Sequence, residues 1–553
     1  MAPTNAPEPL FLGLDLSTQQ VKAVVIREDS TIVHETSVHF DNDLPHYKTT
    51  NGTYHGPGEG EVTSPVEMWL EALDLLFDRL HKEGVSLSSV VAISGAGQQH
   101  GSVFWSAQAE GLLASLDAAK SLRGHLFPGA FSIQRSPIWQ DHSTEEDCKV
   151  LEEAVGGSQA LADLSGSRAY ERFTGTQISK IKRLQPKVYA STARISLVSS
   201  FIASLFLGKF APIEVSDASG MNLMDIISCK WDETLLNICG GPQLREKLGS
   251  EPVIGGTNLG TVSKWWVKRW GVNPECIVAP ITGDNPATVM SLSAPGDAVL
   301  SLGTSTTFLL SIPPANTPPK RFTTSHLLAH PTTSHGQIAM LCYKNGALAR
   351  ENIRNKYANR DWAEFNKRVQ GTPPGCSGYM ALYFPLPEII PPGIQGEYCF
   401  KLPSAESETP KQIEDIPPEV HCRAILESQF LSIRSRIAAI LPPNAPHLHR
   451  LVISGGSSAN PVIRQIAADI FGMDVYVSST KEAAAMGGTL LAKYAWWKIR
   501  NPDGSFEDMT GGEPAGTTRV AKAHEEESKI YDELVSIYTQ CEEQTIKSSA
   551  SAA

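Results

Sequence analysis

Apolar and polar positions divide the chain into two similar runs. An apolar stretch at 10–15 ends in Asp15, a polar tip Leu16-Ser17-Thr18-Gln19-Gln20 follows, and apolar residues resume at 21–26. Arg27-Glu28-Asp29-Ser30 turns into a third apolar run at 31–38. Short runs bounded by turn residues predict three strands in an antiparallel meander. A Gly- and Pro-rich loop spans 45–63. Ser64-Pro65 then opens a helix with Trp69, Leu73, Leu76, Phe77 and Leu80 on one face. A buried-type strand at 90–94 runs into Gly95-Ala96-Gly97-Gln98-Gln99-His100-Gly101. That is a polar loop at the carboxyl end of a strand, where open α/β sheets place ligands.

The second half repeats this order. Residues 298–312, strand–GTST–strand, echo 10–26, strand–STQQ–strand, and Val452-Ile453-Ser454-Gly455-Gly456 echoes Ala92-Ile93-Ser94-Gly95-Ala96. A helix precedes the later strand in each half, at 64–80 and at 420–441, the latter with Leu426, Phe430, Ile433 and Ile437 on its apolar face. The expectation is two copies of one α/β unit facing across a cleft that holds nucleotide. Between the copies lies an insertion at 139–280, with helices expected at 143–154 and 194–207. A second Pro- and Gly-rich excursion covers 373–410. Beyond Arg500 the chain turns polar, and a last amphipathic helix carries Ile530, Leu534, Ile537 and Tyr538. It is expected to dock on the body and to end in a frayed SSASAA. The expected division is 1–293, 294–500 and an extension at 501–553.

The two copies meet in ITGDNPATVMSLSAPGDAVLSLGTSTTFLL, residues 281–310. Pro286 suits the first turn of a helix that Asp284 or Asn285 can cap, and 287–292 completes that helix. A strand at 298–301, the turn Gly303-Thr304-Ser305-Thr306 and a strand at 308–312 follow. One half offers a carboxylate to accept a proton, the other a hydroxyl-rich hairpin to hold phosphate oxygens. The pair points to phosphoryl transfer to an alcohol.

Composition narrows the class. A chain of 553 residues exceeds one ordinary core. A net charge of -12 argues against nucleic acid and anionic membranes as partners. The N-terminus lacks a signal layout and no apolar run reaches spanning length. The nine cysteines are scattered with no C-x-x-C, which fits reduced thiols in the cytosol. Asn51-Gly52-Thr53 is a turn.

Each motif has a plain alternative. Asp15 before Ser17 and Thr18 suits a magnesium-bound phosphate held through water, or a simple hairpin turn. Gln98, Gln99 and His100 suit a polyol or ketose. The competing dinucleotide reading fails on spacing, since G-A-G-Q-Q-H-G misplaces the third glycine and Phe104-Trp105 continues an apolar run. In Gly455-Gly456-Ser457-Ser458-Ala459-Asn460-Pro461, helix capping explains Asn460, Pro461 and Gly472, while the two glycines admit a flat base or a phosphate. A hydrolase elbow is the faint alternative there, without a positioned His. Among Arg168, Arg172, Lys180, Lys182 and Arg183 one arginine reaches a sugar hydroxyl or phosphate and the rest are solvated. Asp141 is a candidate for sugar hydroxyls, and Trp139 for the core. Neither a P-loop nor the protein-kinase set occurs.

Taken together, GLDLSTQQVK, SGAGQQHGSVFW, WQD, GSRAYERFTG, TGDNPA, SLGTSTT and SGGSSANPVIRQIAADIFG resemble the FGGY family of carbohydrate kinases, over about residues 10–500. SGAGQQH, SRAYERF and GDNP are most similar to its eukaryotic xylulose kinases. The resemblance implies a duplicated actin-like (ribonuclease H-like) α/β fold, with a mixed sheet in each domain. It implies ATP and Mg2+ as cofactors and D-xylulose as substrate, in a monomer or homodimer. It makes Asp284 the catalytic base and lines the sugar site with His100, Arg172, Asp284 and Asn285, beside Gln99 and Asp141. Gly455, Gly456, Ser457 and Asn460 contact ATP with Trp362 nearby, and Asp15, Thr18, Gly303, Thr304 and Ser305 surround the phosphates. Two positions depart from the family: His142-Ser143-Thr144 replaces an Arg that many relatives carry after the WQD aspartate, and Ile181-Lys182-Arg183 replaces an aromatic after Lys180. Both fall on the sugar side. The alternatives are another ketose or polyol as substrate, or an inactive binding protein on the same fold.

Overall fold

The computed structural model describes residues 8–403, 408–442, 445–514 and 516–552. The chain divides into two units. One joins Met1–Ala294, Leu327–Ile338 and Thr480–Ala515; the other joins Pro295–His326, Ala339–Ser479 and Gly516–Ala553.

In the first unit β1 (Leu10–Leu16), β2 (Gln20–Ile26) and β3 (Ile32–His39) form the expected antiparallel meander. β4 (Val90–Gly97) runs parallel to β1, and β5 (Ile277–Val278) and β6 (Thr282–Gly283) pair in parallel with β4. The sheet order is β5-β4-β1-β2-β3. β1 is apolar without alternation because both sheet faces are covered. On one face lies the helix Val66–Lys82, with Trp69, Leu73, Leu76, Phe77 and Leu80 fully buried against Leu12, Leu14 and Leu16. It begins after Pro65, since Val62–Pro65 is itself a short strand.

The other face is covered by the helix Ala483–Lys498, whose Ala485, Leu491 and Ala495 pack on Phe11, Val24 and Ile26. Residues 480–515 therefore belong with the first unit, not with the rest of 294–500. A glycine makes the contact possible. A Cβ added at Gly487 would stand 1.8 Å from the Ala287 carbonyl oxygen, so this helix meets the one starting at Asp284 backbone to backbone.

The segment expected as a helix over 194–207 begins as strand, through Leu197, and is helix from Val198 to Leu207. Thr192–Leu197 pairs antiparallel with Ser102–Ser106, and the helix begins only at Val198. Burial does not alternate here, since Ile195, Ser196 and Leu197 are all buried; the ladder to Ser102–Ser106 is what makes the segment a strand.

The second unit carries β7 (Ala298–Leu302), β8 (Thr306–Ser311), β9 (Gln337–Tyr343), β10 (Arg450–Ser454) and β11 (Asp474–Ser478). Their order, β9-β8-β7-β10-β11, repeats the first sheet's β3-β2-β1-β4-β5, with His326–Ala329 and Thr517–Ala521 added at the two ends. β7 and β8 are antiparallel, and β7–β10 and β10–β11 are parallel. The duplicated α/β fold read from the sequence is thus present in the topology.

The final helix, Glu525–Ala552, lies against His421–Ile440. Its buried residues are Tyr531, Leu534, Tyr538, Cys541, Glu542 and Thr545, while Ile530 is exposed and Ile537 half-buried. The face is rotated from the expected one because polar bonds fix it. Arg423 donates to the Tyr531 hydroxyl at 2.7 Å, which donates to Glu427 at 2.7 Å, all buried. The helix continues through Ala552, so the expected fraying at SSASA is not seen; Ala553 lies outside the described residues. Among the described residues no helix is long and apolar enough to cross a membrane. None of the nine cysteines, all within the described residues, is in a disulfide.

Candidate active site

Asp284 is the first residue of the helix Asp284–Leu292, which starts earlier than a cap at Asp284 or Asn285 would place it. Gly283 occupies the N-cap position, so neither Asp284 nor Asn285 caps this helix. The Asp284 carboxylate instead accepts from the Asn285 backbone N–H at 2.9 Å and from Asn285 Nδ2 at 3.3 Å. Burial raises its pKa to about 6, opposed by the backbone N–H groups of Asn285 and Gln99. At neutral pH it is ionised and able to take a proton.

Asn285 Nδ2 also donates to Gln99 Oε1 at 2.8 Å, which ties the end of β4 to the start of the Asp284 helix. His100 follows in a left-handed backbone conformation, φ 68°. Such a conformation costs a non-glycine residue energy and is concentrated at functional sites. Its Nδ1 donates to the Gly220 carbonyl at 2.9 Å. Burial and the charge of Arg172 lower its pKa to about 3, so the ring is neutral and Nε2 is an acceptor. The ring stacks on Phe173 at 4.5 Å; the Arg172 guanidinium lies 4.7 Å from Tyr170 and 5.8 Å from Phe173. His100, Gln99, Arg172, Asp284 and Asn285 are therefore brought together, in the first unit.

Asp141 is turned into the fold. It is 2 % exposed, and its oxygens accept from Val62 N, Ser143 N, Ser143 Oγ and Gln177 Nε2. These bonds anchor its loop: Oδ1 takes three donors and Oδ2 one. Ser143 in turn accepts from Lys180, which also pairs with Glu61 at 2.6 Å. Arg168 pairs with Glu152 and Arg183 with Asp147. Trp139 is not core: it is 44 % exposed, and its Nε1 donates to Thr18 Oγ1 at 2.8 Å.

Asp15, one residue from the end of β1, is buried, and its Oδ1 has no hydrogen-bond partner. Burial raises its pKa to about 7; Lys22, 3.8 Å away, opposes this, and the charges of Asp284 and Glu482 add to it. A buried carboxylate oxygen without a donor fits a hard divalent cation or one of its waters.

The second unit holds a cavity of about 680 Å³, a size suited to a nucleotide. Gly303, Thr304, Trp362, Gly456, Ser457 and Asn460 all line it. Ser305 is exposed on the adjoining turn between β7 and β8. Gly455 has φ 84°, and a Cβ there would meet the Leu302 carbonyl carbon at 2.7 Å. It lets the loop after β10 close on the β7–β8 turn, whereas Gly456 faces open space. Asn460 is the helix N-cap expected, accepting from Val462 N and Ile463 N, with Pro461 first in the helix and Gly472 ending it at φ 64°. Its Nδ2 donates to Asn366 Oδ1 at 2.8 Å.

Sequence reasoning missed Asn366, Glu351, Glu214 and Asp217. Asn366 sits one helical turn after Trp362 and shares its face, a spacing that was open to inspection. Glu214 and Asp217 are buried, with Asp217 close to Gln99 and Asp284. Glu214 accepts from Ser216 N, Asp217 N and Thr282 Oγ1, and Asp217 from Ser199 Oγ. Burial pushes the Asp217 carboxyl well above the usual range, with Glu214 and Asp284 adding to it. Glu214 caps the short helix Val215–Ala218, a local signal, whereas Thr282 and Ser199, which complete the cluster, come from other elements.

Two domain descriptions match the chain: the C-terminal domain of the FGGY family of carbohydrate kinases over residues 298–496, and its N-terminal domain over 132–291. The chain is 43% identical over 533 residues to a probable D-xylulose kinase A of Neosartorya fischeri, covering 91% of each. It is 42% identical over 538 residues to one of Aspergillus terreus, covering 92% of each. Among solved structures it is similar to a ligand-bound xylulose kinase of Lactobacillus acidophilus, with a TM-score of 0.75, 14% identity and coverage of 99% of this chain and 100% of that one. A Plasmodium falciparum glycerol kinase with ADP gives 0.70, 16% identity and coverage of 97% and 98%. These structures support the two-domain actin-like fold. Both domain matches and the identity to the fungal relatives lead to one conclusion: the chain belongs to the FGGY family of carbohydrate kinases.

Proposed function

We propose that the protein transfers the γ-phosphoryl group of ATP to the terminal hydroxyl of D-xylulose, giving D-xylulose 5-phosphate. The observation that carries the chemistry is Asp284: a half-buried carboxylate with a pKa raised to about 6, beside Asn285, Gln99 and the acceptor Nε2 of His100. The sugar is inferred from the relatives named D-xylulose kinase A.

Asp284 accepts the hydroxyl proton as that oxygen meets the γ-phosphorus. His100 Nε2 accepts from a sugar hydroxyl, and Asn285 and Arg172 donate to sugar oxygens. The nucleotide occupies the cavity of the second unit, its base toward Trp362 and its phosphates toward Gly303, Thr304 and Ser305. Exclusion of water limits ATP hydrolysis without sugar. Mg2+ fits the orphaned oxygen of Asp15, bound through water, and when present it neutralises phosphate charge. Positioning and electrostatics supply most of the rate in such transfers. We place the protein in the cytosol, as a monomer or homodimer.

The test is ADP release by purified protein with ATP and Mg2+, against D-xylulose and a panel of ketoses and polyols. Release that is highest with D-xylulose supports the reading. Higher kcat/KM for another sugar corrects the substrate, and no sugar-dependent release refutes the activity. Trp362→Ala is expected to raise KM for ATP roughly five- to a hundredfold, the range of a base–aromatic stack. KM for the sugar should stay unchanged, as initial-rate kinetics will show.

A further inference from the structure

The helix Ala347–Tyr357 begins against the β7–β8 turn, with Ala347 N donating to the Gly303 carbonyl at 3.1 Å. One turn in stands Arg350, fully buried at 0 % exposure. Its Nη2 donates to Ser457 Oγ at 3.1 Å and its Nη1 to Gln429 Oε1 at 2.7 Å. Its Nε is buried with no partner. Among the described residues no carboxylate lies within ion-pair distance of this guanidinium; elsewhere in the unit buried or half-buried arginines have one, Arg423 with Glu427 and Arg450 with Asp297. The exposed Glu351 on the cavity wall only partly offsets the burial, and the pKa falls to about 10, so Arg350 remains a cation at neutral pH. A buried charge without a counter-ion is strongly disfavoured in an empty fold. Ser457, to which it donates, lines the cavity beside Gly303 and Thr304. The N-terminus of an 11-residue helix adds positive potential at the same end.

We propose that Arg350 is a positioning residue for the anionic part of the nucleotide: it holds Ser457 with its hydroxyl proton free to donate, and its charge is balanced only when phosphate occupies the cavity. This rests on the nucleotide reading of that cavity. Arg350 is too buried to touch the ligand and acts through Ser457 and through its field. The consequence is an inversion: the residue that destabilises the empty unit stabilises the loaded one.

The experiment measures thermal unfolding and equilibrium affinity for ADP and for adenosine in the wild type, Arg350→Gln and Arg350→Lys. Arg350→Gln is expected to unfold at or above the wild-type temperature without nucleotide. It should gain a smaller shift from ADP and bind ADP about tenfold more weakly, the loss of roughly one charge-assisted contact. Adenosine affinity should be unchanged. Arg350→Lys, which keeps the charge and loses the fork, should retain part of the ADP affinity and preserves the test if the glutamine variant does not fold. Equal ADP affinity in all three proteins overturns the proposal. So does an equal loss toward ADP and adenosine with a lower unfolding temperature, which marks a merely structural role. A wild type that ADP does not stabilise overturns the nucleotide reading itself, and is distinguishable because no variant is involved.

Discussion

Asparagine in place of Asp284 is expected to lower kcat by about 10²–10⁴-fold, the usual worth of general-base assistance, with KM for both substrates within a few-fold of wild type. The amide keeps the shape and one acceptor for the Asn285 N–H at 2.9 Å, so the binding site persists while the proton acceptor does not. The pH profile adds a second reading of the same residue. With a pKa near 6, the carboxylate is ionised above that value and protonated below it. Wild-type kcat/KM should therefore fall below about pH 6, and the residual activity of Asp284→Asn should lack that limb. Stability moves the other way. The folded pKa lies above the ordinary value of 3.8, so the folded state favours the protonated acid. The cost of burying the ion is absent below pH 3.8, grows between 3.8 and 6, and is fully present above. Asp284→Asn should accordingly melt higher than wild type at pH 8, with the gap closing in acid. Near-normal turnover in this variant would remove Asp284 from its role.

Gly487→Val is expected to be the most damaging single change away from the substrates. An added Cβ would sit 1.8 Å from the Ala287 carbonyl oxygen, and the obstacle is backbone, which no side-chain rotation relieves. Overpacking of this kind costs about 1–3 kcal/mol and sometimes more. It acts on the helix that begins at Asp284, so activity should fall by more than the loss of folded protein explains. Chemical denaturation and kcat on the folded fraction test this together. A variant with wild-type midpoint and turnover would show that the two helices separate without consequence.

The sequence displayed most of this fold through its apolar runs, since strands buried on both faces read continuously and their bounding turns are rich in Gly, Asn and Asp. The meander, the repeat and the caps at Asn460 and Gly472 were legible for that reason. Gly303, Thr304, Gly456, Ser457 and Asn460, which line the second unit's cavity, were legible as a set because they cluster next to β7 and β10, whereas Trp362 comes from a separate helix. Three features were not. The helix Ala483–Lys498 looks like any small-residue helix, and its packing on Phe11, Val24 and Ile26 and the approach of Gly487 to the Ala287 backbone place it in the first unit. Asp141 looks like a ligand-binding acid beside Trp139, yet its four donors come from residues up to 79 positions away. The strand at Thr192–Leu197 is recognisable only from its partner, Ser102–Ser106.

The way each unit is closed has a bearing on synthesis. The first sheet is covered on one side by a helix from Ala483 to Lys498, and the second unit draws Tyr531 into a buried bond with Arg423 and Glu427. A nascent chain emerging from the ribosome cannot complete either core until residues beyond 480 are available, however early its first strands appear. Both halves must wait, so this protein matures late and nearly all at once rather than one domain after the other.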